Sequence, residues 1–273
     1  MLEAEFFYRN PLENDEAKPA FGLEEPDPNN ERPNHTGFIK KISNGREENH
    51  TLDSSGFSLI LCPTKVKDFY NDEEVSSIYY REMHEVVKKE TGANQVQIIS
   101  HITRNEEEAA QGKRLGAHRL VHNDFTAQFQ SIVDEFLKEA KNKPSRVVVY
   151  NLWRRFDKDG LDAPFAVCDA TSVSNKELIP TDLHNYGGGQ GFAVEIYQSE
   201  HNEKHRWCYY PKMTRDEALM FKTYDSAADP FIPTLHSAFD DPSLAGKKVT
   251  PRESIVVRAI CFFNYVFESK RSL

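Results

Sequence analysis

A chain of 273 residues with 38% hydrophobic and 28% charged side chains is too apolar to stay disordered and too polar to live inside a bilayer. Its 34 basic residues against 43 acidic ones leave a formal net charge of −9 with no basic block, which argues against nucleic acid as a partner. No run approaches the roughly 18 apolar residues of a membrane span, and Met1 to Arg9 lack a basic-then-apolar leader pattern, so no membrane partner and a cytoplasmic location are expected. Oligomeric state leaves no trace in the composition.

Residues 1–50 differ from the rest. Pro11, Pro19, Pro26, Pro28 and Pro33 lie among Asn, Asp and Glu, a mixture that interrupts helices and ladders, and an irregular Pro-rich arm that solvates, wraps or covers a pocket is expected there. Residues 51–273 are expected to form the functional domain. It opens with the apolar run Phe57–Leu61. A helix follows, with Asn71 and Glu74 in a capping-box pattern, Val75, Ile78, Tyr79, Met83, Val86 and Val87 on one face, and Gly92 at its end. Gln95–Ser100 reads as a strand. A second helix carries Phe129, Ile132, Val133, Phe136 and Leu137 and stops before Pro144.

Beyond it the apolar period shortens to two, over Arg146–Trp153, Pro164–Val173, Gly191–Gln198, Arg206–Tyr210, Ala218–Tyr224 and Ser254–Phe263. Successive short strands with few helical crossovers predict a mainly β fold, an antiparallel sandwich or jelly roll with flanking helices. Cys62, Cys168, Cys208 and Cys261 are widely spaced and read as reduced thiols.

The chemistry concentrates in Leu120-Val-His-Asn-Asp-Phe125. Residues two apart in a strand project to one side, so His122 and Asp124 offer an imidazole and a carboxylate to one point. A third ligand must come from elsewhere. His184 lies in a polar loop before Gly187–Gly189, and His201 and His205 lie in a charged loop. His236 leads into the last strand and is best placed to meet the first. Two histidines and one carboxylate on one face of a metal leave three positions open, as in non-haem iron(II) oxygenases. On the final strand Arg252 and Ser254 share a face, so a guanidinium fork and a hydroxyl can grip one carboxylate. Arg258 has the same parity, deeper in the strand. A zinc hydrolase also fits a three-ligand set, but it has no use for a carboxylate anchor. A jelly roll that no longer holds metal is the non-catalytic alternative, and an iron oxidase that needs no 2-oxoglutarate is the catalytic one.

At this point a resemblance becomes specific. Val66–Val75, Val121-His-Asn-Asp-Phe-Thr126, Asn151-Leu-Trp-Arg154, Cys168–Ser172, His205-Arg-Trp207, Tyr210-Pro-Lys-Met213, Asp216–Leu219, Tyr224-Asp-Ser226 and Pro251–Ala259 resemble the fungal and bacterial hydroxylase/desaturase family. That family includes a gibberellin desaturase, an aspergillic acid hydroxylase and a cephamycin methoxylation protein. The matching stretches cover most of residues 52–263. The resemblance implies the double-stranded β-helix (cupin-like jelly roll) of the Fe(II)/2-oxoglutarate-dependent dioxygenases, with Fe(II), 2-oxoglutarate and dioxygen as cofactor and co-substrates. It implies His122, Asp124 and His236 as iron ligands, Arg252 and Ser254 as the grip on the distal carboxylate, and oxidation of an unactivated C–H bond in a small secondary metabolite or amino-acid-derived molecule. Hydroxylation and desaturation or ring closure stay open, as does the choice between Arg252 and Arg258. Asn151, Trp153, Arg154, Tyr209 and Tyr210 are candidates for the substrate pocket, Asn151 and Arg154 first. The sequence departs from the family at Trp153-Arg-Arg-Phe156, where the extra Arg155 either faces the pocket and favours an acidic substrate or, as strand alternation favours, faces solvent.

Overall fold

Alternating side chains on long β-branched and aromatic runs need two surfaces to cover them, and in the computed structural model the strands meet this need as two facing sheets. The structure describes residues 2–13, 16–22, 34–140, 142–184 and 193–265. In chain order these hold β1 (Leu2–Arg9), β2 (Ala20–Gly22), β3 (His35–Asn44) and β4 (Phe57–Leu61). The helical segment follows as α1 (Asp72–Glu74), a π turn over Val75–Tyr79, and α2 (Tyr80–Thr91). Next come β5 (Gln95–Asn105), α3 (Glu106–Ala110), β6 (His122–Asn123), α4 (Phe129–Phe136), β7 (Arg146–Arg155) and β8 (Phe165–Cys168). The last strands are β9 (Leu178–His184), β10 (Ala193–Ser199), β11 (Trp207–Tyr209), β12 (Glu217–Asp225), β13 (His236–Ala238) and β14 (Glu253–Phe263). One sheet has nine strands in the order β1-β3-β11-β8-β13-β6-β10-β9-β2, the other five in the order β4-β12-β7-β14-β5. Among the described residues no helix is long and apolar enough to cross a membrane.

The expected jelly-roll architecture is the one that forms. The helix over 72–91 starts and stops where its sequence predicts. Asn71 caps it by accepting from the backbone N–H groups of Glu73 and Glu74, and Gly92 ends it in the left-handed region at φ 67°, where only glycine sits without strain. The capping box is not reciprocal, because the Glu74 carboxylate accepts from the N–H groups of Lys67 and Asp68 instead. Met83 and Val87 of α2 are buried against the outer face of the five-stranded sheet, onto Leu152, Val257 and Ala259; burial of each contributes about 1.5–3 kcal/mol. Between the sheets lie two clusters, one with Phe57, Trp153, Val167 and Phe221, the other with Val149, Ile196, Ile260 and the α4 residues Phe129 and Val133.

Where it is described, the amino-terminal arm is largely strand, contrary to the expectation of an irregular segment. β1 and β3 pair antiparallel from Leu2↔Ile42 to Arg9↔His35 and complete the edge of the nine-stranded sheet. Ala4, Phe6 and Tyr8 alternate into the core, with Phe6 stacked on Trp207 at 4.3 Å. Pro11 and Pro19 fall between β1 and β3, and Pro26, Pro28 and Pro33 lie outside the described residues, as do Gly187–Gly189 and the first two residues of the strand expected from Gly191. Phe7 forms a parallel bridge with Leu120, and its carbonyl accepts from the N–H of Val121. The arm therefore abuts the strand that carries His122. All four cysteines are free and buried; Cys168, Cys208 and Cys261 lie in strands, and Cys62 just beyond β4.

Candidate metal centre

His122 on β6 and His236 on β13 are direct register partners across an antiparallel pair, which sets their rings side by side with centroids 4.2 Å apart. Asp124, two residues after His122, turns to the same side. Its Oδ1 lies 3.5 Å from His122 Nε2 and 3.6 Å from His236 Nε2. One ligand atom from each of the three lies within 4.8 Å of the others, and all three residues are buried. Each histidine is oriented by a carbonyl two residues earlier: Nδ1 of His122 donates to Leu120 at 2.7 Å, and Nδ1 of His236 to Thr234 at 3.1 Å. With the proton on Nδ1, Nε2 keeps its lone pair free for a metal. The Thr234 hydroxyl donates in turn to the carbonyl of Gly56, which sits at φ 88°; a Cβ there would come within 2.4 Å of the Thr234 oxygen. Asn123, between the two first ligands, donates to the carbonyls of Phe125 and Thr223 and pins the turn.

The electrostatics suit a cation. Burial alone would raise the Asp124 carboxyl, but the Arg258 guanidinium beside it holds it well below the usual carboxylate range. Burial, then repulsion from His236, pushes His122 down to about 4, so it is neutral at physiological pH. His118 packs its ring edge-on to His122 at 4.4 Å and is held low chiefly by burial. The other candidate histidines lie elsewhere. His184 is exposed, His201 stacks on Phe38, and His205 bonds Glu177 and Tyr8.

The five-stranded sheet faces this cluster. Ser254, Val256 and Arg258 of β14 point inward beside Arg155, Trp153 and Asn151 of β7. Arg252 is 2% exposed; its Nη1 donates to the Ala163 carbonyl at 2.8 Å, and its Nε has no hydrogen-bond partner. Among the described residues it makes no ion pair, and burial pushes it down to about 9, with Glu106 only partly offsetting this. The buried Ser254 hydroxyl is likewise without a partner. A cation without a carboxylate and an orphan hydroxyl two residues apart fit a missing carboxylate. The guanidinium lies 5.7 Å from the Trp153 ring, Trp153 stacks on Phe165 at 4.8 Å, and Phe165 and Phe221 flank His236 at 5.6 and 4.7 Å.

Residues 6–262 match the family described as the Oxidoreductase/YMDC permease-like domain. The chain belongs to that family. It is 28% identical over 237 residues to the alpha-ketoglutarate-dependent dioxygenase phiK of a fungal species, covering 82% of this chain and 83% of the relative. It is 29% identical over 242 residues to the hydroxylase/desaturase efuI of Hormonema carpetanum, covering 80% of each. The solved structure of the iron and alpha-ketoglutarate-dependent endoperoxidase NvfI superposes with a TM-score of 0.77 at 23% identity, over 96% of this chain and 98% of that one, a likeness of fold. The resemblance read from the sequence segments is thus the family found, an oxidoreductase family whose relatives depend on Fe(II) and 2-oxoglutarate.

Within this oxidoreductase the structure redistributes several expected roles. Arg154 has the opposite parity to Asn151 and lies on the outer face of the sheet, fully buried, donating to Tyr79, Cys62 and the Arg215 carbonyl. It does not reach the space between the sheets. Arg155 does not face solvent: it is 3% exposed and grips Asp157 with two hydrogen bonds. Arg258 and Asn151 both bond Asp124 instead of lining an open pocket. Tyr210 is buried in the cluster that holds Trp153 and Phe221, with its ring against Gly45, whereas Tyr209 packs edge-on to Phe239. Phe165 and Phe221 were not among the expected site residues. Their only signal in the sequence is strand parity, which many core aromatics share.

Proposed function

We propose that this chain oxidises an unactivated C–H bond of a small, largely apolar secondary metabolite or amino-acid-derived molecule, with His122, Asp124 and His236 holding Fe(II) and Arg252 with Ser254 holding the distal carboxylate of 2-oxoglutarate. One observation carries this reading: a buried two-histidine, one-carboxylate cluster on one sheet faces a buried arginine and serine that lack an anionic partner on the other. Iron(II) with 2-oxoglutarate and dioxygen supplies an oxidant able to remove hydrogen from carbon, with succinate and carbon dioxide as by-products. The protein supplies placement. Nδ1 bonds fix the two imidazoles with Nε2 inward. Arg252 and Ser254 set the distance and direction from which a dicarboxylate reaches the metal, because a guanidinium fork and a hydroxyl bind one carboxylate in one orientation. Trp153, Phe165 and Phe221 form an apolar wall beside His236 that suits an apolar substrate and excludes water.

Hydroxylation is the default outcome, and desaturation or ring closure follows where the substrate carbon is held away from the oxygen source. Four free, buried cysteines support a cytoplasmic setting. The test is substrate-screened succinate release from Fe(II)-loaded protein under isotopically labelled dioxygen. Gain of one labelled oxygen in the product identifies hydroxylation, and loss of two hydrogens identifies desaturation or cyclisation. Conversion that proceeds unchanged without 2-oxoglutarate overturns the co-substrate and leaves an iron oxidase. Absence of metal uptake leaves the non-catalytic jelly roll.

A further inference from the structure

The two histidines belong to the nine-stranded sheet and Asp124 directly follows β6, yet its carboxylate is held by the other sheet. Oδ2 of Asp124 accepts from Nδ2 of Asn151 at 2.8 Å and from Nε and Nη2 of Arg258 at 2.9 and 2.7 Å. Asn151 and Arg258 are register partners on β7 and β14, so the two donors stand side by side and reach the same oxygen. Three donors fill the acceptor capacity of one carboxylate oxygen. Oδ1, by contrast, is the oxygen beside both histidine Nε2 atoms. Asn151, Asp124 and Arg258 are 1%, 8% and 4% exposed, so water does not compete for these bonds.

We propose that Arg258 and Asn151 are positioning residues that confine Asp124 to a single ligand oxygen and thereby keep one coordination position free for dioxygen. The proposal rests on the metal site assigned above. A six-coordinate iron with two imidazoles and one carboxylate oxygen has three positions left. 2-Oxoglutarate, if bound through two oxygens, would take two, and one would remain. A chelating Asp124 would leave only two, and the co-substrate would then shut dioxygen out. The clamp prevents this because Oδ2 would have to give up three hydrogen bonds, two of them from a guanidinium, to turn toward the metal. Arg252 and Arg258 thus divide the work of one strand: the first is left for a carboxylate that the protein lacks, and the second is committed to one that the protein supplies.

The experiment uses the full chain, metal-free, with two readouts apart from turnover. In the first, Co(II) alone is titrated and its visible absorption followed. In the second, anaerobic Fe(II) protein is exposed to nitric oxide, a stand-in for dioxygen, with and without 2-oxoglutarate, and the paramagnetic iron–nitrosyl signal is recorded. The variants are Arg258→Gln, Arg258→Lys and Asn151→Ala. Arg258→Gln is expected to weaken Co(II) binding about 10- to 100-fold, with Arg258→Lys recovering part of the loss. In Arg258→Gln and Asn151→Ala the nitrosyl signal should survive without 2-oxoglutarate and fall when 2-oxoglutarate is present, whereas the unaltered protein keeps it in both conditions. Arg258→Lys keeps the charge in place if Arg258→Gln fails to fold. Variants that bind Co(II) as tightly as the parent and keep the nitrosyl signal beside 2-oxoglutarate overturn the clamp. A parent protein that takes up no Co(II), or one whose uptake is untouched by His122→Ala, overturns the metal site itself.

Discussion

The two sheets contribute to the centre in different ways. On the nine-stranded sheet each imidazole is oriented from within its own strand, by the carbonyl two residues earlier, and the two strands meet in direct register. On and beside the five-stranded sheet, four polar side chains that face the cluster have distant partners or none. Arg258 and Asn151 reach across to Asp124, while Arg252 and Ser254 keep unpaired buried atoms. One sheet therefore supplies the ligands, and the other both braces Asp124 and keeps Arg252 and Ser254 for something outside the protein. Buried polar atoms are rarely left unpaired, so the second sheet is the one that states what the centre must bind.

Breaking the first sheet's contribution should have the largest effect. His122→Ala, Asp124→Ala or His236→Ala each removes one of three ligands, and none should retain metal after desalting of Fe(II)- or Co(II)-loaded protein, measured by elemental analysis. Retention by His236→Ala alone would return the third ligand to His184, His201 or His205. Breaking the carboxylate anchor of the second sheet, Arg252 with Ser254, should leave metal in place. Arg252→Ala is expected to raise the 2-oxoglutarate concentration needed for half-maximal turnover about 10- to 100-fold, the loss of a charged hydrogen bond of about 1.5–3 kcal/mol, with Ser254→Ala a smaller step in the same direction. Equal loss of metal in the Arg252 and His122 variants would erase the distinction between the sheets.

The same difference explains what the sequence could reveal. His122 and Asp124 are legible because their geometry is local: they stand two residues apart, and strand alternation brings them together with no knowledge of the fold required, although β6 itself ends at Asn123. Arg252 and Ser254 are legible for the same reason. Arg258 and Asn151 carry no local sign of their partner, since Asp124 lies 134 and 27 residues away along the chain. The arm misled because proline marks breaks between β1 and β3 without showing that Phe6 and Tyr8, ahead of the first of them, alternate into a core. Arg154 shows an error that parity alone could have caught, since it is three residues from Asn151 and so faces away from it. Its replacement sharpens the point. Arg154→Ala leaves the carbonyls of Cys62 and Arg215 without their donor; a cost of about 1–3 kcal/mol is expected for each unpaired group in a denaturant melt, with the 2-oxoglutarate requirement unchanged. A rise in that requirement would place Arg154 back at the site.

The smallest expected effect separates the sheets by acidity. On or beside the nine-stranded sheet, His118, His122 and His205 are all held below the ordinary histidine range, in each case chiefly by burial. Folding then keeps these rings neutral at a pH where the unfolded chain protonates them. Below about pH 6.5 the unfolded state binds more protons than the folded one, so stability falls as pH falls, and for His122 the fall continues down to about 4. Between pH 6.5 and 5 the carboxylates held low, Asp124, Glu106 and Glu177, are ionised in both states and add no slope. The unfolding free energy of the metal-free protein, measured by urea titration, should therefore drop across that interval, by about 1 kcal/mol per pH unit for each fully buried histidine. His205 lies outside the metal cluster, bonded to Glu177 and Tyr8. His205→Gln should flatten part of the slope without touching metal affinity, and a slope that is unaltered in this variant would show that the acid sensitivity belongs to the metal-site histidines alone.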